Sequence, residues 1–175
     1  MIKIILIVLV VLIAALLAFA ASKPGTFRIR RATTIKARPD RILPLINDFH
    51  NWGSWSPWEK LDPAMKRTYS GAPNGKGAMY AWEGNGKAGA GNMEIAQSSP
   101  SSAVTINLNF IRPFEGHNIT EFMLTPVGDS TNVTWDMHGP SPFMSKVMQV
   151  FMSMDSMVGK DFEAGLANMK RIAEG

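Results

Sequence analysis

The sequence predicts an α+β protein: a curved antiparallel sheet of about seven strands wrapped around a long C-terminal helix, with an apolar helix in front. Three observations carry this. Eighteen uncharged residues run from Ile4 to Ala21. Between Met65 and Met137 short runs of alternating apolar and polar residues are separated by Gly, Asn, Asp, Ser and Pro. From Phe143 to Glu174 apolar residues recur at helical spacing. The first spans a bilayer's thickness as a helix, the second is strand periodicity, and the third marks an amphipathic helix.

The 175 residues divide into an N-terminal segment, 1–23, and one domain, 24–175. A domain of that length buries a self-sufficient core. As a helix rising roughly 1.5 Å per residue, the first segment reaches about 27 Å, enough for the hydrocarbon of a bilayer. It reads as a single-pass membrane anchor. The rival is a secretory signal, for which Lys3 is a minimal basic start and Ala18-Phe19-Ala20 fits small-x-small cleavage; its apolar run exceeds the usual 7 to 15 residues. Lys23, Arg28, Arg30 and Arg31 after the span outnumber Lys3 before it. Charge counting therefore favours a cytoplasmic domain, whereas a long domain translocates largely regardless of charge. The side of the membrane stays open between these two arguments.

Lys23-Pro24-Gly25 ends the first helix, and the alternation of Phe27, Ile29, Thr33 and Ile35 against Arg28, Arg30 and Thr34 makes Thr26 to Ala37 a strand. Pro39 suits a first helical position, with Asp40 in the first turn and Ile42, Leu45, Ile46 and Phe49 on one face. Pro44 falls inside that pattern, so the helix is short or kinked. Six further strands follow as a meander at Met65–Gly71, Ala78–Gly84, Gly89–Ser98, Ala103–Ile111, Asn118–Val127 and Thr131–His138. Gly139-Pro140-Ser141-Pro142 then introduces the terminal helix, capped by Ser141.

Asn51 to Pro63 holds three of the five tryptophans, Trp52, Trp55 and Trp58, within seven residues. Such rings bury large area while keeping one N–H for a partner, and together they close one end of a core or pocket. Tyr80, Trp82, Phe110 and Trp135 alternate toward the inner side of the sheet, and Met148 and Met152 of the terminal helix face them in this reading. Six of the twelve methionines lie on that helix, and flexible thioethers adapt to varied apolar shapes. These nine residues are the candidate ligand-binding lining.

Other constellations carry less chemistry. Gly84-Asn85-Gly86-Lys87-Ala88-Gly89 spells G-x-G-x-x-G, but a strand-like run rather than a helix follows it, so a hairpin is expected instead of a phosphate cradle. His50, His117 and His138 are far apart in sequence and no metal site is expected. With no cysteine there is no thiolate catalysis, disulfide or cysteine metal site. Asp136 and His138 share a strand face and could form an acid–base pair at a pocket mouth. Arg112 is weighed as a headgroup anchor against an ordinary solvated turn residue. The net charge of +4 is too diffuse for nucleic acid, though bases near the span suit anionic lipid headgroups.

Several stretches resemble a known family. Ile35-Lys36-Ala37-Arg38-Pro39, Ile46-Asn47-Asp48-Phe49 with Trp52, Trp55-Ser56-Pro57-Trp58 with Asp62-Pro63, and Gly165-Leu166 with Lys170 and Glu174 resemble the polyketide cyclase/dehydrase-like members of the START-related, helix-grip superfamily, also called SRPBCC proteins. The resemblance implies a helix-grip fold with a deep hydrophobic cavity for lipids or polycyclic compounds. It transfers no catalytic position and implies no cofactor. The expected function is a membrane-anchored module binding a lipid-like or aromatic small molecule. The alternatives are an enzyme of the cyclase/dehydrase type, with Asp136, His138, Tyr80 or Glu83 moving protons, and a protein-interaction scaffold with a filled interior.

Overall fold

The computed structural model describes all 175 residues. Helix α1 (Ile2–Ser22) is followed by β1 (Thr26–Ile35), α2 (Pro39–Asn47), the short α3 (Trp52–Trp55), β2 (Lys66–Gly71), β3 (Ala78–Glu83), β4 (Ala90–Ser99), β5 (Ala103–Arg112), β6 (Gly116–Val127), β7 (Ser130–Pro140), α4 (Phe143–Phe151) and α5 (Met154–Glu174). Single 3₁₀ turns at Phe49–Asn51 and Pro57–Lys60 flank α3. The seven strands form one antiparallel sheet in the order β1-β7-β6-β5-β4-β3-β2. Consecutive hairpins build it from β2 to β7, and β1 closes the other edge against β7.

Helix α5 lies across the concave side. Phe162, Leu166, Met169 and Ala173 are buried there in one cluster with Ile29, Ile35, Ile95, Ile106, Phe122, Val133 and Trp135 from the sheet. Gly165 permits the close approach, because a Cβ at that position would sit 2.8 Å from the Trp135 ring and 3.4 Å from Trp55 and Pro57. The end of α5 is tied down by polar contacts: Glu174 accepts a hydrogen bond from the Lys36 amide at 2.7 Å, and Asn168 donates to the Trp55 carbonyl at 3.0 Å.

The terminal helical segment differs from expectation. It is two helices, since Met152 is extended (φ −140°, ψ 132°) and Ser153 caps α5 by accepting from the Ser156 amide. Helix α5 already spans the sheet with 21 residues, so α4 lies beyond the core and packs on α1, burying Ala20. Met148 and Met152 are consequently 43% and 47% exposed. Hydrophobic spacing continues through the break, which is why the sequence reads as one helix.

On the outer side of the sheet Asp136 is fully buried beneath two arginines. Arg28 Nε donates at 2.8 Å and Arg30 Nε at 2.5 Å to its Oδ2, and His138 Nδ1 lies 3.4 Å from Oδ1. Burial pushes this carboxyl up, but the bonds from Arg30, Arg28 and His138 outweigh it and hold it below its ordinary value of 3.8. A depressed folded pKa contributes stability that is complete above the unfolded value and lost as pH falls through the folded one.

Two predictions follow from these contacts. Gly165→Val should destabilise the fold by about 1–3 kcal/mol through overpacking against Trp135, read as a lower urea midpoint. Asp136→Asn should flatten the loss of stability on acidification below about pH 4, measured by denaturation across pH.

Candidate functional site: an apolar cavity under helix α5

The site begins with how α2 ends. A helix leaves its last carbonyls without intrahelical partners, and here tertiary donors supply all four. Pro44 O accepts from Asn51 Nδ2 at 2.9 Å, Leu45 O from Trp55 Nε1 at 2.7 Å, and Ile46 O from Trp52 Nε1 at 3.0 Å. Asn47 O accepts from the Gly75 amide at 2.8 Å. The tryptophan-rich segment is thereby fixed against α2 with its rings turned onto the inner face of the sheet. Phe49, Trp52, Trp55, Phe122, Trp135, Trp58 and Phe162 form a continuous aromatic chain with centroid separations of 4.0–6.2 Å.

Beside this chain the interior is not filled. A cavity of about 150 Å³ is bounded by 17 residues, 14 of them hydrophobic. Six of the nine sequence-predicted residues line it: Trp52, Trp58, Tyr80, Trp82, Phe110 and Trp135. Trp55 stands behind the wall, fully buried against Trp52 and Trp135. Met148 and Met152 do not reach the cavity, because α4 lies outside the core; from the helical side Val158 and Phe162 of α5 take their place. Trp82 is held at its position by a bond from Nε1 to Ala88 O at 3.0 Å, and Gly91 opposite it leaves room for the ring.

Sequence reasoning missed the polar members. Glu59 lines the cavity with a side chain only 7% exposed. It accepts from Tyr80 Oη at 2.5 Å and from Arg67 Nε at 2.7 Å. Burial, reinforced by the bond to Glu59, raises the Tyr80 phenol far above its ordinary range, so it stays a neutral donor. The Arg67 guanidinium is raised by its bond to the Glu59 carboxylate. The cue was available: Glu59 directly follows Trp58 in a segment already read as pocket-closing. Thr120 Oγ1 and Trp135 Nε1 are buried without a hydrogen-bond partner, and both residues line the cavity. They lie on adjacent strands at diagonal positions of the β6–β7 register, where Phe122 pairs with Trp135 and Thr120 with Met137.

Other candidates fall outside. Asp136 and His138 are on the outer side, as strand alternation from Trp135 requires, so they form no pair at the mouth. Glu83 faces outward and bonds Arg112 at 3.2 Å, which makes Arg112 a solvated ion-pair residue. Glu121, Asp136 and His138 bring potential ligand atoms within 4.8 Å of one another, but Arg28 and Arg30 set two positive charges against the central carboxylate. The glycine-rich motif is the β3–β4 turn, closed by Gly84 N to Gly89 O at 2.8 Å, with Gly89 at φ 65°.

A family model described as "Polyketide cyclase / dehydrase and lipid transport" matches residues 26–174. The chain belongs to that family. Among solved structures it is similar to the major latex-like protein 151 of Panax ginseng, with 12% identity over 87% of this chain and 100% of that one at a TM-score of 0.61. A Chromobacterium violaceum protein matches with 13% identity over 87% and 99% of the two chains at 0.60, and the Aha1 dimer from Colwellia psychrerythraea with 16% over 85% and 96% at 0.57. At these identities the likeness shows the fold, which is the helix-grip fold. No curated protein matches the chain.

The unpartnered hydroxyl gives a clean contrast. Thr120→Val should leave stability unchanged or raise it by about 1 kcal/mol, since it removes a buried, unsatisfied group. Thr131→Val should cost about 1–3 kcal/mol, because the Thr131 hydroxyl donates to Ala37 O at 2.7 Å. Chemical denaturation of both variants checks the pair.

Proposed function

We propose that the protein is a membrane-tethered binding module that holds the apolar part of one lipid-like or aromatic molecule in the cavity under α5. The observation that carries this reading is an apolar void that persists beneath the helix despite a wall of large aromatic rings. A dry apolar void of roughly 150 Å³ in another protein core is enough to bind benzene. A single ring or the end of a chain fits such a space; a polycycle requires Trp58 or Trp82 to move. Each buried methylene contributes about 0.8 kcal/mol, so five of them offer about 4 kcal/mol before the costs of binding. The lipid transport named in the family description agrees with this use. Helix α1, of mean hydropathy 3.4 and almost wholly exposed, is the tether in this reading.

An enzymatic role draws less support from the geometry. Of the four proton-moving candidates only Tyr80 reaches the cavity, and its hydroxyl is committed to Glu59.

Native mass spectrometry of the detergent-extracted chain against fatty acids, isoprenoids and aromatic compounds tests the proposal. Binding is expected for at least one class, and Leu108→Trp, which fills the void from its lining, should weaken it at least tenfold while the thermal transition persists. No binding by any class, or equal binding by the filled variant, would overturn it.

A further inference from the structure

The antiparallel order places one end of every strand on a common edge. There β1 starts at Thr26, β7 ends at Pro140, β5 ends at Arg112 beside the start of β6, β3 ends at Glu83 beside the start of β4, and β2 starts at Lys66. The cavity belongs to this end. Leu61 and Met65 precede β2, Ala88 lies in the β3–β4 turn, Trp82, Leu108, Phe110 and Met137 are late in their strands, and Val158 is early in α5. The same end receives α1, since only Lys23, Pro24 and Gly25 separate Ser22 from Thr26. It also emits α4, anchored where Ser141 N donates to Gly25 O at 2.7 Å.

This end is also the greasy one. Leu61, Ile111, Phe114, Phe143, Phe151 and Met152 expose apolar side chains around it, with Phe114 at 55% and Phe151 at 71%. Exposed Lys60, Lys66 and Lys87 stand among them, with exposed Glu83 and Glu115 at the same end. At the opposite end the turns are built from Pro73-Asn74-Gly75-Lys76, Ser99-Pro100-Ser101-Ser102 and Gly128-Asp129, with Val127 exposed beside the last of them. A soluble surface rarely concentrates large exposed apolar groups in one region without a partner. A three-residue connection to a spanning helix leaves that region no distance from the headgroups.

We propose that the cavity end of the domain docks directly onto the bilayer, with α4 lying in the interface beside α1 and the Pro113-Phe114 turn inserted next to it. The partner is the lipid surface itself, preferably one carrying anionic headgroups for the lysines. The cavity then opens toward the hydrocarbon, and a membrane-resident guest passes its apolar end inward without crossing water. The inference rests on α1 being the retained span of the reading above, but not on the identity of any ligand.

The chain contains no cysteine, so single spin labels report depth without background. Leu9→Cys, Phe114→Cys, Phe151→Cys and Asp129→Cys, each in the full chain, would be labelled and reconstituted in phosphatidylcholine nanodiscs with and without phosphatidylglycerol. The oxygen-to-nickel accessibility ratio at Phe114 and Phe151 is expected to exceed that at Asp129 several-fold and to fall below that at Leu9. Phe114 and Phe151 labels as wet as Asp129, with Leu9 immersed, would overturn docking and leave the cavity reading intact. A water-like Leu9 would overturn the span and the docking together. Ligand binding is measured separately and is unaffected by either result.

Discussion

The cavity depends on two indole N–H groups bonded to the last turn of α2. A helix ending at Asn47 inside the fold would bury carbonyls at a cost of about 1–3 kcal/mol each if unpaired. Trp52 and Trp55 satisfy Ile46 and Leu45, and in doing so their rings have one orientation available. The polar requirement of the backbone thus decides where the apolar bulk goes. Pro44 takes part as well: its carbonyl is taken by Asn51.

Given those anchors, the size of the void follows from how the other rings are packed. Trp135 stacks on Phe162 at 4.0 Å with an interplanar angle of 7°, and Gly165 lets α5 descend onto that pair. The helix therefore runs against β1, with the Trp135 ring of β7 packed beneath it. Toward β3 and β4 the sheet curves away, and Trp82, braced by Ala88 O, is a wall rather than a plug. Tyr80 is prevented from swinging into the space by Glu59, which Arg67 holds in turn. A buried carboxylate with both a phenol and a guanidinium on it is tolerable because its charge is paired and its oxygens are bonded. These bonds set the polar part of the wall of the void.

Much of this was legible from residue order. Period-two alternation identified all seven strands, and it put Tyr80, Trp82, Phe110 and Trp135 on the inner side, where they line the cavity. Alternation also implied that Asp136 and His138 must point away from Trp135, a constraint stronger than their chemical attractiveness as a pair. The break before α5 was hidden: a serine cap inside continuous apolar spacing resembles any other helical serine until the length of the sheet is known. Met148 and Met152 were misplaced by that one unread cap. Glu59 escaped because a polar residue in a pocket wall is distinguished by its partners, and Tyr80 lies 21 residues away in the chain.

The arginines after α1 carry a related lesson about topology signals. Counted in sequence, Arg28, Arg30 and Arg31 are juxtamembrane positive charges. In the fold Arg28 and Arg30 neutralise the buried Asp136, and Arg31 crosses α5 at Gly159 to reach Asp155 at 3.0 Å and Glu163 at 2.7 Å. The bond to Asp155 and that to Glu163 raise the Arg31 guanidinium above its ordinary range, and Arg31 in return lowers the Asp155 carboxyl. These charges are committed to strand β1 and its partners. Lys23 is the one charged residue between the apolar helix and β1, so against Lys3 and the amino terminus no excess of positive charge remains to hold the domain on the cytoplasmic side. Charge counting weighs loops near a span, and here most of the counted charge belongs to a folded strand. The fold therefore removes the main argument for that side while leaving the three-residue connection between α1 and β1 unchanged.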